Sequence, residues 1–311
     1  MIKDIKGLHH VTSMAADASI NNAFFTNTLG LRRVKKTVNF DAPEVYHLYY
    51  GDEIGTPGSV MTYFPFGQMP RGRRGAGEVG ITEFAIPTGG IAFWKQHLAS
   101  GGVTGLTENT VFGEKRLSFD GPDGDSFALV ETDVRGRTAW TQGGVPDDAG
   151  ILGFRGARFA LKDVDATGEL LTFMGYQKAE SEGDATRYVI EGGNAADTID
   201  LQQLPSGAPT AGQGAGSVHH IAFAVEDRAA QLRVRQALLD TGYQVTPVID
   251  RDYFWAIYFR TPGGVLFEIA TNEPGFDRDE DTAHLGEALK LPTRYEPHRS
   301  KIESLLPSLE P

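Results

Sequence analysis

Short apolar runs separated by polar breaks follow a repeating order along this chain. Over residues 216–272, "SVHHIAFAV" alternates as a strand, "AAQLRVRQALLDTGY" has helical spacing, and "TPGGVLFEIAT" reads as a turn entering a further strand. In the helical stretch Leu232, Gln236, Leu239 and Tyr243 fall on one predicted face, with Leu238 beside them. The same order recurs three more times. Strand starts at "KGLHHVTSM", "EVGITEFAI" and, more loosely, "GFRGARFAL" line up with "SVHHIAFAV". Helical stretches follow at 19–31, 91–102 and 165–176. In modules one and two, "TPGSVMTYF" and "GPDGDSFALVE" supply the closing turn and strand.

The repeat is therefore one strand, one helix and several strands, at 7–65, 78–132, 153–205 and 216–272. Such a βαβββ unit leaves one apolar sheet face uncovered, so units must pair. The predicted class is α+β: four modules pairing into two cupped-sheet barrels. Modules one and four carry the distinctive polar residues and are expected to share a metal cup, leaving two and three to form the other. Residues 273–311 lie outside the repeats, and "TAHLGEALK" and "HRSKIESLL" read as short amphipathic helices of a tail.

Composition narrows the function classes. The chain has 311 residues, 40% of them hydrophobic and 23% charged, as in an ordinary globular protein. A formal net charge of −12 argues against nucleic-acid binding, which needs a basic face. No apolar run approaches the roughly 20 residues that span a bilayer, so no membrane role and a cytoplasmic location are expected. Cysteine is absent, so any metal must sit on His, Asp or Glu.

Differences between modules locate the chemistry. Where module four has His220, module one has His10, module two Ile81 and module three Gly156. Where module four has Glu268, module two has Ala128 and module one Tyr63. The scaffold itself therefore requires neither His nor Glu at these slots. His220 shares a strand face with Ala222 and Ala224, and Glu268 shares one with Leu266 and Ala270. A carboxylate among such neighbours is costly unless paired or metal-bound. Two imidazoles and one carboxylate form the facial set that leaves open positions on non-haem Fe(II), and Mn(II) suits the same donors.

Together "GLHHVTSMAAD", "LGLRRVKKTVNFD", "YHLYYGDEIGTPGSVMTYFPF", "VHHIAFAV" and "DRDYFWAIYFRTPGGVLFEIATNEPGF" resemble the vicinal oxygen chelate superfamily, and within it the hydroquinone-type ring-cleaving dioxygenases. The resemblance implies iron ligands at His10, His220 and Glu268, the residues reached above. It also implies catalytic roles around them for Tyr258, Arg251, Thr12, His9 and His219. His9 and His219 point away from the ligand face of an ideal strand and need a bulge or an edge position to reach substrate. The implied reaction inserts both atoms of O2 into a hydroquinone by 1,2-cleavage, with a small aromatic diol and O2 as the partners. Edge strands and an acidic surface are compatible with a homo-oligomer.

Three rivals stand beside this reading. A glyoxalase-type isomerase or lyase would use a fourth protein ligand, a carboxylate from module one, where Tyr63 stands. An extradiol catechol dioxygenase would cluster its ligands in the two C-terminal modules, where Gly156 is vacant. A ligand-sequestering resistance-type binding protein would have no use for a metal triad. His47 and His97 have no partner recognisable in the sequence, and "MPRGRRGAG" at 69–77 reads as a solvated linker.

Overall fold

Each repeat closes as an alternating set of strands around one helix in the computed structural model, which describes residues 1–134 and 136–310. The first module contributes β1 (Leu8–Ala15), α1 (Ala18–Ala23), β2 (Arg32–Asn39), β3 (Ala42–Gly51) and β4 (Val60–Pro65). The second contributes β5 (Glu78–Ile86), α2 (Ile91–Ser100), β6 (Thr107–Val111), β7 (Glu114–Asp120) and β8 (Ser126–Glu131). The third contributes β9 (Phe154–Leu161), α3 (Asp165–Phe173), β10 (Gln177–Glu182), β11 (Ala185–Val189) and β12 (Thr198–Gln203). The fourth contributes β13 (Val218–Val225), α4 (Arg228–Asp240), β14 (Ile249–Asp250), β15 (Phe254–Arg260) and β16 (Leu266–Pro274), and the tail adds α5 (Arg299–Leu305). No helix among the described residues is long and apolar enough to cross a membrane.

The described strands form two curled eight-stranded sheets, as the α+β reading of paired modules predicts. One has the order β14-β15-β16-β13-β1-β4-β3-β2 and the other β10-β11-β12-β9-β5-β8-β7-β6. Antiparallel pairing of β1 with β13 joins the first sheet, and pairing of β5 with β9 joins the second. Period-two alternation then divides each strand between two environments. Ile221, Phe223, Phe267, Ile269, Met61 and Ile257 enter the main hydrophobic core. Their neighbours Ala222, Ala270, Val60 and Ala256 belong to a separate cluster inside the cup. Alanines there leave the volume that a ligand needs.

Three local readings are corrected by packing. The buried face of α4 holds Ala230, Gln231, Val234 and Leu238, whereas Leu232 is exposed. Gln231 is the reason: its amide donates to the carbonyls of Trp255 and Ile269 at 2.7 and 2.9 Å, so a polar residue sits on the core side. In the tail, "TAHLGEALK" forms only a 3-10 turn at Thr282–His284. Gly286 is pressed so closely on Arg33 that a Cβ would meet its carbonyl oxygen at 1.9 Å, and Lys290 N bonds Lys36 O, so this segment docks along β2 instead of coiling. Pro311, the last residue of the tail, lies outside the described residues. Residues 69–77 are more than a solvated linker: Arg71, Arg73 and Ala76 make bridge pairings with Ala215, Gly212 and Thr210.

A buried acid couples the two halves. Tyr63 of β4 donates its hydroxyl to the Asp125 carboxylate, which lies in the turn before β8 and is 5% exposed. Burial is the main cause that pushes the Asp125 carboxyl up to about 6, against the pull of Tyr63. The folded chain thus binds this proton more tightly than the unfolded chain does. Its contribution is fully present below the ordinary value near 3.8 and is lost as pH rises through about 6. Asp125→Asn should remove that dependence. The stability difference between variant and wild type is expected to shift toward the variant by on the order of 3 kcal/mol from pH 4 to pH 7.5. Urea unfolding at both pH values measures it, and an equal difference at the two would refute the assignment.

Candidate metal centre

Two bulges place the adjacent histidine pairs. In the pairing of β1 with β13, Leu8 and His10 face Phe223 and Ala222, so His9 is an extra residue. Thr12 and Ser13 face His220 and Val218, so His219 is extra on the opposite strand. A bulge residue is freed from strict alternation and can turn toward its neighbour's side. His9 and His10 accordingly approach at their Nδ1 atoms to 3.0 Å, and His219 and His220 at theirs to 2.7 Å.

Register builds the rest of the constellation. One rung of the sheet runs Tyr258, Glu268, Ala222, His10 and Val60 across β15, β16, β13, β1 and β4. The adjacent rung runs His220, Thr12, Thr62 and Tyr49 across β13, β1, β4 and β3. His10 and Thr12 stand in the same relation to β4 as His220 and Ala222 do to β16. Thr62 therefore occupies the slot of Glu268, and the sequence match to Tyr63 is one residue out of step. A one-residue slip reverses the face, which is why Tyr63 points out of the cup to Asp125.

Ligand atoms of His10, His220 and Glu268 lie within 4.8 Å of one another. The two Nε2 atoms are 3.3 Å apart, and Glu268 Oε2 is 3.3 Å from His10 Nε2 and 2.9 Å from His220 Nε2. Glu268 is fully buried, yet neither of its oxygens accepts an aligned hydrogen bond. The donor atoms of the three residues converge on one small volume. A buried carboxylate left in this state needs a cation, so the donor set fits a divalent metal.

Hydrogen bonding fixes the tautomer needed for ligation. His9 Nε2 lies 3.1 Å from the Thr271 carbonyl, which can only accept, so His9 carries its proton there. Burial, with His10 adding to it, pushes the His9 imidazole down to about 3 and keeps it neutral. Its Nδ1 then accepts from His10 Nδ1–H, leaving His10 Nε2 as a bare lone pair facing Glu268. Burial likewise lowers the His220 imidazole, opposed by Glu268.

A cavity of about 240 Å³ opens over the triad. Tyr258, Arg251 and His219 line it beside the ligands. Arg251 Nε donates to the Tyr258 hydroxyl at 3.3 Å, and its guanidinium reaches Asp41 at 3.4 Å. Thr12 does not line the cavity; its hydroxyl is 3.1 Å from that of Thr62. His9 is turned away toward Thr271 and packs on Phe254 at 5.3 Å between ring centres. His47 and Tyr49 line the cavity and were not singled out by sequence. His47 Nε2 is 2.7 Å from Thr62 Oγ1, and its Nδ1 is 2.8 Å from the Tyr49 hydroxyl. The alternation in "VYHLYY" puts both on one face, but only the register of β3 against β4 shows that this face is the cup.

A second cavity of about 440 Å³ meets His219 and His220 from the side of Lys162 and Arg260. It is the larger of the two, but it lacks His10 and Glu268, so the complete donor set opens only on the smaller one.

Comparison with known proteins gives the same direction. Residues 158–269 match the family described as the Glyoxalase/Bleomycin resistance protein/Dioxygenase superfamily. The chain is 44% identical over 310 residues to a Bacillus subtilis protein provisionally named ring-cleaving dioxygenase MhqO, covering 99% of this chain and 98% of that one. It is 36% identical over 301 residues to chlorohydroquinone/hydroquinone 1,2-dioxygenase of Sphingobium indicum, covering 94% and 93%. A crystal structure of a provisionally named dioxygenase from Bacillus subtilis superposes with a TM-score of 0.95 at 43% identity, over 99% of this chain and 98% of that chain. Glyoxalase I of Zea mays shares the fold alone, with a TM-score of 0.64 at 13% identity over 86% and 92%. The chain belongs to the glyoxalase/bleomycin resistance protein/dioxygenase superfamily, among relatives named as ring-cleaving dioxygenases.

Proposed function

We propose that this protein is an Fe(II)-dependent dioxygenase that opens the ring of a hydroquinone between a hydroxyl-bearing carbon and its neighbour, with Mn(II) able to occupy the same site. The observation that carries the reading is the convergence of His10 Nε2, His220 Nε2 and an unsatisfied, buried Glu268 carboxylate beneath an aromatic-lined cavity. His10, His220 and Glu268 would hold the metal from one side, and when bound it would supply Lewis acidity toward a phenolic oxygen and O2.

The surrounding side chains have separable tasks. Burial, then the Glu268 charge, push the Tyr258 phenol up, so its hydroxyl keeps its proton and can donate to an oxygen above the triad. Burial opposes the charge on Arg251, but Tyr258, Glu268 and Asp41 outweigh it and keep the guanidinium cationic. Arg251 thereby orients Tyr258 and offsets negative charge at the mouth. Burial, then His220, push His219 down to about 4, so its neutral ring holds a proton at Nε2 toward the cavity once Nδ1 accepts from His220. A thiol-adduct isomerase is disfavoured because Thr62, not a carboxylate, stands at the fourth-ligand slot.

Oxygen uptake by anaerobically Fe(II)-loaded protein, with hydroquinones and with catechol as control, tests the proposal. Uptake is expected with hydroquinone, and its absence with either diol despite stoichiometric metal would favour the isomerase reading. Tyr258→Phe is expected to lower kcat by on the order of 100-fold while metal content is unchanged. Unaltered turnover would remove Tyr258 from the chemistry.

A further inference from the structure

We infer that the Tyr49 hydroxyl receives the second hydroxyl of the substrate, the one across the ring from the triad, and so selects 1,4-diols over 1,2-diols. The inference rests on the aromatic-diol reading of the site. Tyr49 stands on β3, three strands from His220 along one rung, and this places it on the opposite wall of the curled cup. A hydroquinone with one hydroxyl at the triad directs its other hydroxyl to that wall. A catechol directs both hydroxyls toward the triad and leaves that wall facing carbon.

Tyr49 is built to hold one position. Its ring is 1% exposed, tilted against His47 at 4.0 Å and meeting Phe276 at 5.1 Å and Tyr253 at 6.4 Å between centres. Phe276 comes from the tail, and the adjoining Asp279 accepts from Tyr253 at 3.1 Å, so the tail braces this wall from behind. The Tyr49 hydroxyl has one protein partner, His47 Nδ1, and so retains capacity for one more strong hydrogen bond.

The network behind it is reversible. If Thr62 donates to His47 Nε2, then His47 Nδ1–H donates to Tyr49, whose own proton is free for the cavity. If Tyr49 donates to His47 Nδ1, then Nε2–H donates to Thr62, Thr62 donates to Thr12, and a Tyr49 lone pair is free. Either polarity leaves Tyr49 one hydrogen-bonding position free to meet a phenol at the far wall. Phe64 and Phe66 also line the cavity and offer a hydroxyl no partner; of the polar residues there, Asn39 Oδ1 accepts from Asp41 N–H and the Asp41 carboxylate pairs with Arg251. A pocket that binds a substrate hydroxyl in this way rejects analogues lacking it, because its own polar group is left unpaired.

Anaerobic titration of the Fe(II)-loaded protein with hydroquinone, phenol and catechol tests the inference by binding alone. Wild type is expected to bind hydroquinone on the order of tenfold more tightly than phenol. Tyr49→Phe should close that gap while phenol and catechol affinities hold, and in turnover it should raise KM for hydroquinone more than it lowers kcat. Equal binding of phenol and hydroquinone by wild type overturns the inference with the diol reading intact, as does a gap that survives in Tyr49→Phe. Failure of wild type to bind any of the three overturns the diol reading, and the inference with it.

Discussion

Glu268→Gln is expected to abolish metal binding while leaving the metal-free protein at least as stable as wild type. The two halves of this expectation come from one feature. A fully buried carboxylate whose oxygens receive no aligned hydrogen bond is a cost to the metal-free fold, several kcal/mol in order of magnitude if nothing offsets it. Glutamine keeps the volume and removes the charge, so the metal-free chain has nothing to lose. Metal affinity depends on that charge, because the remaining donors, His10 Nε2 and His220 Nε2, are neutral imidazoles. Wild type should be stabilised by about 3–4 kcal/mol at metal concentrations of roughly 100–1,000 times Kd. The variant should show no metal-dependent shift, no stoichiometric metal after gel filtration and no oxygen uptake. His220→Ala should lose metal in the same way. Retained metal in Glu268→Gln, or a metal-free variant much less stable than wild type, would recast Glu268 as a structural acid.

How far the chain could be read depends on which interactions repeat. His10, His220 and Glu268 could be singled out without a structure because the modules act as controls for one another: Ile81, Gly156 and Ala128 show that the scaffold works without ligands. Paired registers carry that equivalence into space, with Glu83 opposite Ala128 and Gly156 just as Ala222 is opposite Glu268 and His10. Gly156 is no accident of drift, since a Cβ there would meet the Thr198 carbonyl at 2.1 Å. What escaped was anything set by register between non-adjacent segments. Tyr63 was matched to Glu268 because both follow a turn at equal distance, yet pairing puts Thr62 in the cup. His47 seemed partnerless because Thr62 lies on the neighbouring strand, and the buried face of α4 was misjudged because Gln231 finds carbonyls that no periodicity reveals.

Arg116→Ala is expected to destabilise the protein by about 3–5 kcal/mol without changing metal content or oxygen uptake per folded molecule. Among the described residues no metal-ligating set gathers at the centre of the second cup; a buried ionic cluster stands there. Glu83 takes the place of Ala222 and is ion-paired with Arg116, whose guanidinium also reaches Glu114 at 3.1 Å and Asp200 at 3.6 Å. Arg187 grips Asp200 with two hydrogen bonds, at 2.8 and 3.0 Å, and Arg158 approaches the same carboxylate at 3.6 Å. Glu83 and Asp200 are fully buried and Arg116 is 2% exposed, so removing Arg116 leaves the Glu83 acid with weaker cationic neighbours, Arg158 at 3.9 Å among them. Burial already pushes the Glu83 carboxyl up, with Arg116 the largest opposing influence. A raised folded value means stability that is present at low pH and lost as pH rises, so the variant's deficit should widen as pH rises above the ordinary carboxylate range. Replacing the pair together, as Glu83→Leu with Arg116→Met, should recover most of the loss, because an apolar filling of similar volume can substitute for a buried ion pair. Chemical unfolding of both variants beside wild type measures this directly. If Arg116→Ala proved harmless to stability but lowered oxygen uptake, the second cup would be part of the catalytic apparatus and not its filled counterpart.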